Sequence, residues 1–107
     1  MPVRPLSCEM ERLLGLIGGR WTVLILRELF GGERRPSALR AALPGISQKM
    51  LTQRLRGLER AGVVARRVRA SARPHVEYAL TPFGRELRRI VLAMHRWAAR
   101  HAERLDG

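Results

Sequence analysis

The chain has a single cysteine, Cys8, among its 107 residues. That excludes an internal disulfide framework and suits a reducing compartment. Acids are scarce: 9 Asp+Glu stand against 21 Lys+Arg, a net charge of +12. An imbalance of this size points to a polyanionic partner. Lysine is nearly missing as well, since Lys49 is the only one and every other cation is arginine. A GC-rich coding sequence accounts for arginine over lysine but not for the sign of the net charge. No apolar run approaches the roughly 20 residues that span a bilayer, and Met1 to Ser7 carry no long apolar segment of a secretion signal. The expected location is the cytoplasm, with no membrane partner. Internal repeats and low-complexity linkers are absent. So are the constellations of an enzyme: no glycine-rich phosphate loop, no paired carboxylates, no Cys/His metal spacing. His95 and His101 fall on different lines of a helix, and Cys8 is far in sequence from His75, His95 and His101. The expectation is no enzymatic activity, no metal and no cofactor. A chain of 107 residues, 46% of them hydrophobic, supports one small domain with a modest core that a partner subunit often supplements.

What is present is organised around Ser47 to Ala61. Ser47 reads as a helix cap and Gly62 as a stop just past the end. Leu51, Leu55 and Leu58 recur at helical spacing. At about 100° per residue, Lys49, Gln53, Arg56 and Arg60 fall on the opposite face with Thr52 beside them. No acid lies on that face, and Glu59 sits nearer the apolar edge. Amide and cationic donors in this arrangement read adenine and guanine edges in a DNA major groove. Gln48, Lys49, Thr52 and Gln53 are the expected base readers, with Ser47 at the start of the same surface. Arg54 and Arg56 are the expected phosphate contacts.

The rest of the chain frames this helix. Met1 to Leu6 read as a short arm, and Ser7 as a cap for a helix from Cys8 to about Ile17 carrying Met10, Leu13, Leu14 and Ile17 at the i, i+3, i+4, i+7 spacing. Trp21 to Phe30 is apolar almost all round, the pattern of a central core helix, and Arg27 and Glu28 mark its wet edge. Arg34-Arg35-Pro36 leaves room for at most a very short strand. Ser37 is expected to cap a short helix through Leu43, and Pro44-Gly45-Ile46 makes a tight turn. A short helix, a turn and a longer polar-faced helix follow helix-turn-helix order. After Gly62 the period becomes alternating. Val64, Arg66 and Val68 share one face, Ala65, Arg67 and Arg69 the other, and Val76, Tyr78 and Leu80 alternate again after a loop at Ala70 to Pro74. This is an antiparallel hairpin with Arg69 and Arg73 at its tip, a basic wing directly after the recognition helix. Thr81-Pro82 starts a last helix expected to run to about Leu105. Its apolar stripe, Phe83, Leu87, Ile90, Val91, Met94, Trp97 and Ala98, extends beyond what a small domain needs. It suggests a partner helix, with Leu13, Ile90, Met94 and Trp97 as the expected dimer contacts.

These stretches resemble the HxlR family of bacterial winged helix-turn-helix regulators. The resemblance runs from Cys8 to Trp97 through Ile17-Gly-Gly-Arg-Trp-Thr-Val-Leu-Ile-Leu-Arg27, Ser37-Ala-Leu-Arg40, Leu43-Pro-Gly-Ile-Ser-Gln-Lys-Met-Leu-Thr-Gln-Arg-Leu55 and Val76-Glu-Tyr-Ala-Leu-Thr-Pro-Phe-Gly84. It implies homodimers joined through the first and last helices and double-stranded operator DNA as partner. The recognition helix would sit in the major groove and the wing on the flanking minor groove. It also implies, for some members, a response to electrophiles, oxidants or aldehydes at the position of Cys8. Pro36 stands where the family usually has an aromatic residue. Lacking an amide donor, it argues against the usual first strand there.

The expected fold is mainly α with a small β-hairpin (α+β), a winged helix-turn-helix domain over 1–107 with a long C-terminal dimerisation helix. The expected function is a sequence-specific regulator binding a pseudo-palindromic operator as a homodimer. The alternative is an architectural protein that coats DNA without sequence preference. Two readings of Cys8 stand: a small buried hydrophobe, or a sensor thiol favoured by the first helical turn and opposed by Glu9 and Glu11. Arg4 and Arg12 would assist the second.

Overall fold

The computed structural model describes residues 8–106. The readings of the arm at Met1 to Leu6, of Ser7 as a cap and of Arg4 beside Cys8 lie outside them. The elements run α1 (Cys8–Ile17), α2 (Arg20–Leu29), α3 (Pro36–Ala42), α4 (Gln48–Arg60), β1 (Val64–Arg69), β2 (His75–Leu80), α5 (Pro82–Arg100) and α6 (Ala102–Asp106). No described helix is long and apolar enough to cross a membrane.

Helix α2 is the pillar that its sequence suggested. Ile25 and Leu26 are 0% exposed, and they meet Ile17, Leu39, Leu51, Leu55 and Leu58 in one core that also takes in Val63, Val64, Tyr78 and Leu80. Each such aliphatic side chain contributes about 1.5–3 kcal/mol by leaving water, so the core fixes how α3, α4 and the hairpin sit around α2. Thr22 is buried with them, a polar residue that an apolar-pattern reading passes over.

The strands pair antiparallel from Val64 opposite Leu80 to Arg69 opposite His75. A one-residue bridge adds a third edge. The Arg34 amide donates to the Tyr78 carbonyl at 3.0 Å and the Tyr78 amide to the Arg34 carbonyl at 2.8 Å. The first strand that Pro36 argued against is thus reduced to this bridge, and Pro36 takes the opening position of α3 instead. There the missing amide costs no hydrogen bond. The expected cap at Ser37 is corrected accordingly: Arg35 occupies the N-cap position, with no side-chain cap bond.

The last helix also departs from expectation. It does not run unbroken to Leu105 but ends at Arg100, and His101 (φ −119°, ψ 25°) separates it from the short α6. Its start follows the sequence closely. The Thr81 hydroxyl accepts from the Gly84 amide at 3.0 Å with Pro82 in the first turn. Gly84 lies against β1's approach, where an added Cβ would meet the Val63 carbonyl oxygen at 2.1 Å. Only glycine lets α5 pack this close. Beyond that anchor α5 projects: the radius of gyration is 15.8 Å, against about 13 Å for a compact chain of this length.

Candidate nucleic-acid interface

Helix α4 owes its placement to its inner face. Leu51, Leu55 and Leu58 are buried against α2, which turns the opposite face to solvent. Its start is fixed by Ser47, whose hydroxyl accepts from the Met50 amide at 3.0 Å. The turn before it needs Gly45, held at φ +94°, a conformation that side chains disfavour. The ring of Trp21 packs against that turn, 3.7 Å from where a Gly45 Cβ would stand. The aromatic residue at the head of α2 therefore packs the turn that precedes α4.

The expected readers Gln48, Lys49, Thr52 and Gln53 are all exposed on this outer face with Arg56 and Arg60. Gln48 is additionally steadied from α3, where the Arg40 guanidinium donates to its Oε1 at 3.3 Å. Arg40 was not among the residues singled out in the sequence, because nothing local says that the last turn of α3 faces the first turn of α4. Arg54 is set apart from the group. It is half-buried, and its Nη1 lies 3.6 Å from where a Cβ on Gly19 would be, at the head of α2.

The hairpin divides its cations between two faces. The pairing puts Arg66 and Val76 on the same side as Val64, Tyr78 and Leu80, and this side looks toward α4. There Thr52 and Arg56 of α4, Arg66 and Val76 of the hairpin, and Pro36 line an open cleft, with Glu59 as its acid. Arg67 and Arg69 occupy the other side. Arg67 is ion-paired with the Glu33 carboxylate. Arg69 reaches the second oxygen of Glu33 at 2.7 Å and Glu77 at 3.1 Å. His75 Nε2 lies 2.9 Å from the remaining oxygen of Glu77. The surroundings of this cluster, Glu33 first and then His75 and Arg69, push the Glu77 carboxyl down to about 2. The same carboxylates, Glu33 foremost, raise the Arg69 pKa above its ordinary value. Arg73, at the tip, is exposed and has no ion pair among the described residues. Of the two cations expected at the wing tip, Arg73 is thus open and Arg69 is engaged within the chain. Arg66, on the α4 side, was missed. The alternation of residues contained the signal, since Arg66 shares the face of Val64, but the side that α4 occupies is not written in the strand.

A second surface lies away from α4. Ile90, Met94 and Trp97 of α5 are 47%, 50% and 52% exposed, and Met10 and Leu14 of α1 are exposed near the same level. An apolar groove between the two helices is lined by Leu13, Leu16, Val63, Phe83, Leu87 and Ile90, with Glu86 at its edge. Leu13 is half-buried there, packed on the core. Trp97 also meets the His101 ring at 4.7 Å between centroids. Cys8 is exposed at the first residue of α1, so the reading of it as a small buried hydrophobe is corrected: among the described residues nothing covers it.

A family model described as HxlR-like helix-turn-helix matches residues 16–106. The chain belongs to the HxlR-like family. Among its relatives, the HTH-type transcriptional regulator YdeP of Bacillus subtilis is 42% identical over 94% of this chain and 78% of its own length. YtcD of the same species is 41% identical over 100% of this chain and 85% of its own. Among solved structures, the redox regulator HypR in its reduced form aligns with a TM-score of 0.86 at 40% identity, covering 92% of this chain and 97% of HypR. The reduced form of the regulator YodB from B. subtilis aligns with a TM-score of 0.80 at 36% identity, covering 88% of this chain and 92% of YodB. The protein is a transcriptional regulator with a winged helix-turn-helix fold, and its relatives are regulators rather than enzymes.

Proposed function

We propose that this HxlR-like chain, residues 1–107 acting as one winged helix-turn-helix unit in the cytoplasm, binds a pseudo-palindromic operator as a homodimer. The observation that carries the reading is the outer face of α4, free of acid along Lys49, Thr52, Gln53 and Arg56 and held between α3 and the hairpin. Gln48, Lys49, Thr52 and Gln53 read base edges, with Ser47 fixing the helix start. Arg56 and Arg54 hold phosphates, Arg54 from the edge of the helix. Arg73 contacts the flanking minor groove, where a narrow A-rich groove attracts arginine most strongly. Arg69 stands nearby and is available only when its carboxylate partners release it. The apolar surface formed by Ile90, Met94, Trp97 and Leu13 takes the second copy, and twofold symmetry then sets the half-sites about 34–36 Å apart or a multiple of that.

The test is a DNA selection from random duplexes, followed by titration of the selected site and of random DNA at several salt concentrations. A specific regulator prefers its site by roughly 10³-fold or more. An architectural protein that coats DNA has no such preference, and that result would replace the reading.

Regulation through Cys8 is the finer part of the proposal. The structural relative HypR is solved in reduced and oxidised forms and YodB in reduced and diamide-treated forms. Cys8 is exposed at the start of α1, close in sequence to Met10 and Leu14 of the apolar surface. Two Cys8 thiols across a dimer would lose two protons and two electrons to an added oxidant such as diamide and join as a disulfide. An electrophilic quinone or an aldehyde would add to one of them. Loss of operator binding after diamide in the wild type but not in Cys8→Ser supports this switch. Equal behaviour of the two proteins removes it.

A further inference from the structure

Glu33 lies in the connector between α2 and α3, and its place is set by its neighbour. Arg34 exchanges two backbone hydrogen bonds with Tyr78, which locks the connector onto the outer edge of β2. β1 lies on the other side of β2. The Glu33 carboxylate reaches across the face of β2 to β1 and takes Arg67 with one oxygen and Arg69 with the other. Glu77, on β2 between them, takes the Nε of Arg69. This face therefore holds two carboxylates and two guanidiniums, with His75 on Glu77. The α4-facing side differs: Arg66 and the tip residue Arg73 make no ion pair among the described residues.

We propose that Glu33 is a positioning residue of the wing, an internal carboxylate that stands where a phosphate would and holds Arg67 and Arg69 on the far face of the hairpin. The wing then meets DNA through Arg66 and Arg73. The inference rests on the DNA-binding reading above and adds the residue that limits how many wing cations engage the backbone. The pairs are partly exposed, so salt and phosphate compete with Glu33 for them. Losing the Glu33 carboxylate frees Arg67 and leaves Arg69 held by Glu77 alone, and a freed cation binds any sequence, because phosphate contacts carry no base information. The consequence is tighter non-specific binding and weaker discrimination, with a hairpin less firmly tied to the α2–α3 connector.

The test uses Glu33→Gln, which keeps the shape and removes the charge. On random duplex DNA, the slope of log affinity against log salt should steepen by about 0.9 for each released arginine that reaches a phosphate. The preference for a selected site over random DNA should fall several-fold. Arg67→Ala/Arg69→Ala in the wild type should leave the random-DNA slope unchanged, and in the Glu33→Gln background it should abolish the gain. An unchanged slope in Glu33→Gln, or a loss of slope from the arginine pair in the wild type, overturns the proposal. Amide exchange across Val64–Arg69 and His75–Leu80 without DNA supplies a separate readout. It should be faster in Glu33→Gln, and unchanged protection would refute the positioning role. A wild type with no site preference would remove the specific-regulator reading, while the exchange comparison would still test Glu33.

Discussion

Helices α4 and α5 are built alike and finished differently. Each begins at a hydroxyl cap, Ser47 or Thr81, that accepts an amide bond at 3.0 Å. Each buries one stripe, Leu51, Leu55 and Leu58 in α4 and Leu87 and Val91 in α5. The outer face of α4 is entirely polar at Lys49, Thr52, Gln53 and Arg56, whereas the outer face of α5 adds Ile90, Met94 and Trp97 to its arginines. A polar, cationic face is stable in water and gains by meeting an anion. An apolar face loses in water and gains by meeting another apolar face. The same helical scaffold thus offers two kinds of surface, and which of them a substitution touches decides what it changes.

The largest contrast is between the inner stripe of α4 and the outer stripe of α5. Leu55→Ala leaves a cavity in a site that is 2% exposed and should cost about 2–5 kcal/mol in urea unfolding. Ile90→Ala should act through association instead, so that its effect on the unfolding midpoint depends on protein concentration. A concentration-independent loss as large as that of Leu55→Ala would place Ile90 in the monomer's own core.

Trp97→Arg puts a charge at the C-terminal end of the exposed apolar stripe of α5. Sedimentation should give a monomer, and the affinity for a two-half-site operator should drop with it. A dimer of unchanged stability would break the contrast, because α5 would then need no apolar partner.

Within α4 the contrast sharpens between neighbours. Gln53→Ala should cost about 1–3 kcal/mol and relax choice at one base position, while Arg56→Ala should weaken all sequences alike and reduce the salt slope by about one. Measurement on a panel of single-base variants separates the two patterns. Gln53→Ala with affinity and preference both intact would rule out base reading there. At the wing, Arg73→Ala should remove footprint protection only outside the central half-sites, and an unchanged footprint would remove the tip from the interface.

The smallest effect concerns pH. The Glu77 carboxyl is lowered from its ordinary 4.5 to about 2. A group lowered on folding adds stability above its unfolded value and loses it as pH falls through the folded value. The hairpin should keep its shape above about pH 4.5 and loosen progressively toward pH 2, as followed by the backbone resonances of His75 to Leu80. Since the cluster is open to solvent, the change is modest. Loosening that begins near neutral pH would point to another group.

Much of this molecule was legible because much of it is local. The caps at Ser47 and Thr81, the leucine period of α4 and the alternation of both strands are properties of a few consecutive residues. The misreadings have one kind of origin. Ser37 looks like a better cap than Arg35, but Pro36 already satisfies the first turn. A periodic pattern carried the last helix past His101, where the chain leaves helical geometry. Arg40 and Arg66 were passed over because their roles depend on which element lies opposite.

Sequence alone determined the polarity of each face, since helical and strand periods fix which residues travel together. It therefore determined that a helix with polar, cationic residues along one face follows a turn and precedes a basic hairpin. Only the tertiary structure decided which cations of that hairpin remain open. Arg67 and Arg69 are both held by Glu33, 34 and 36 residues away in the chain. That pairing exists because Arg34 is bridged to Tyr78, a non-local contact that no periodicity encodes. Charge can be counted along a chain, but its compensation depends on distance in space.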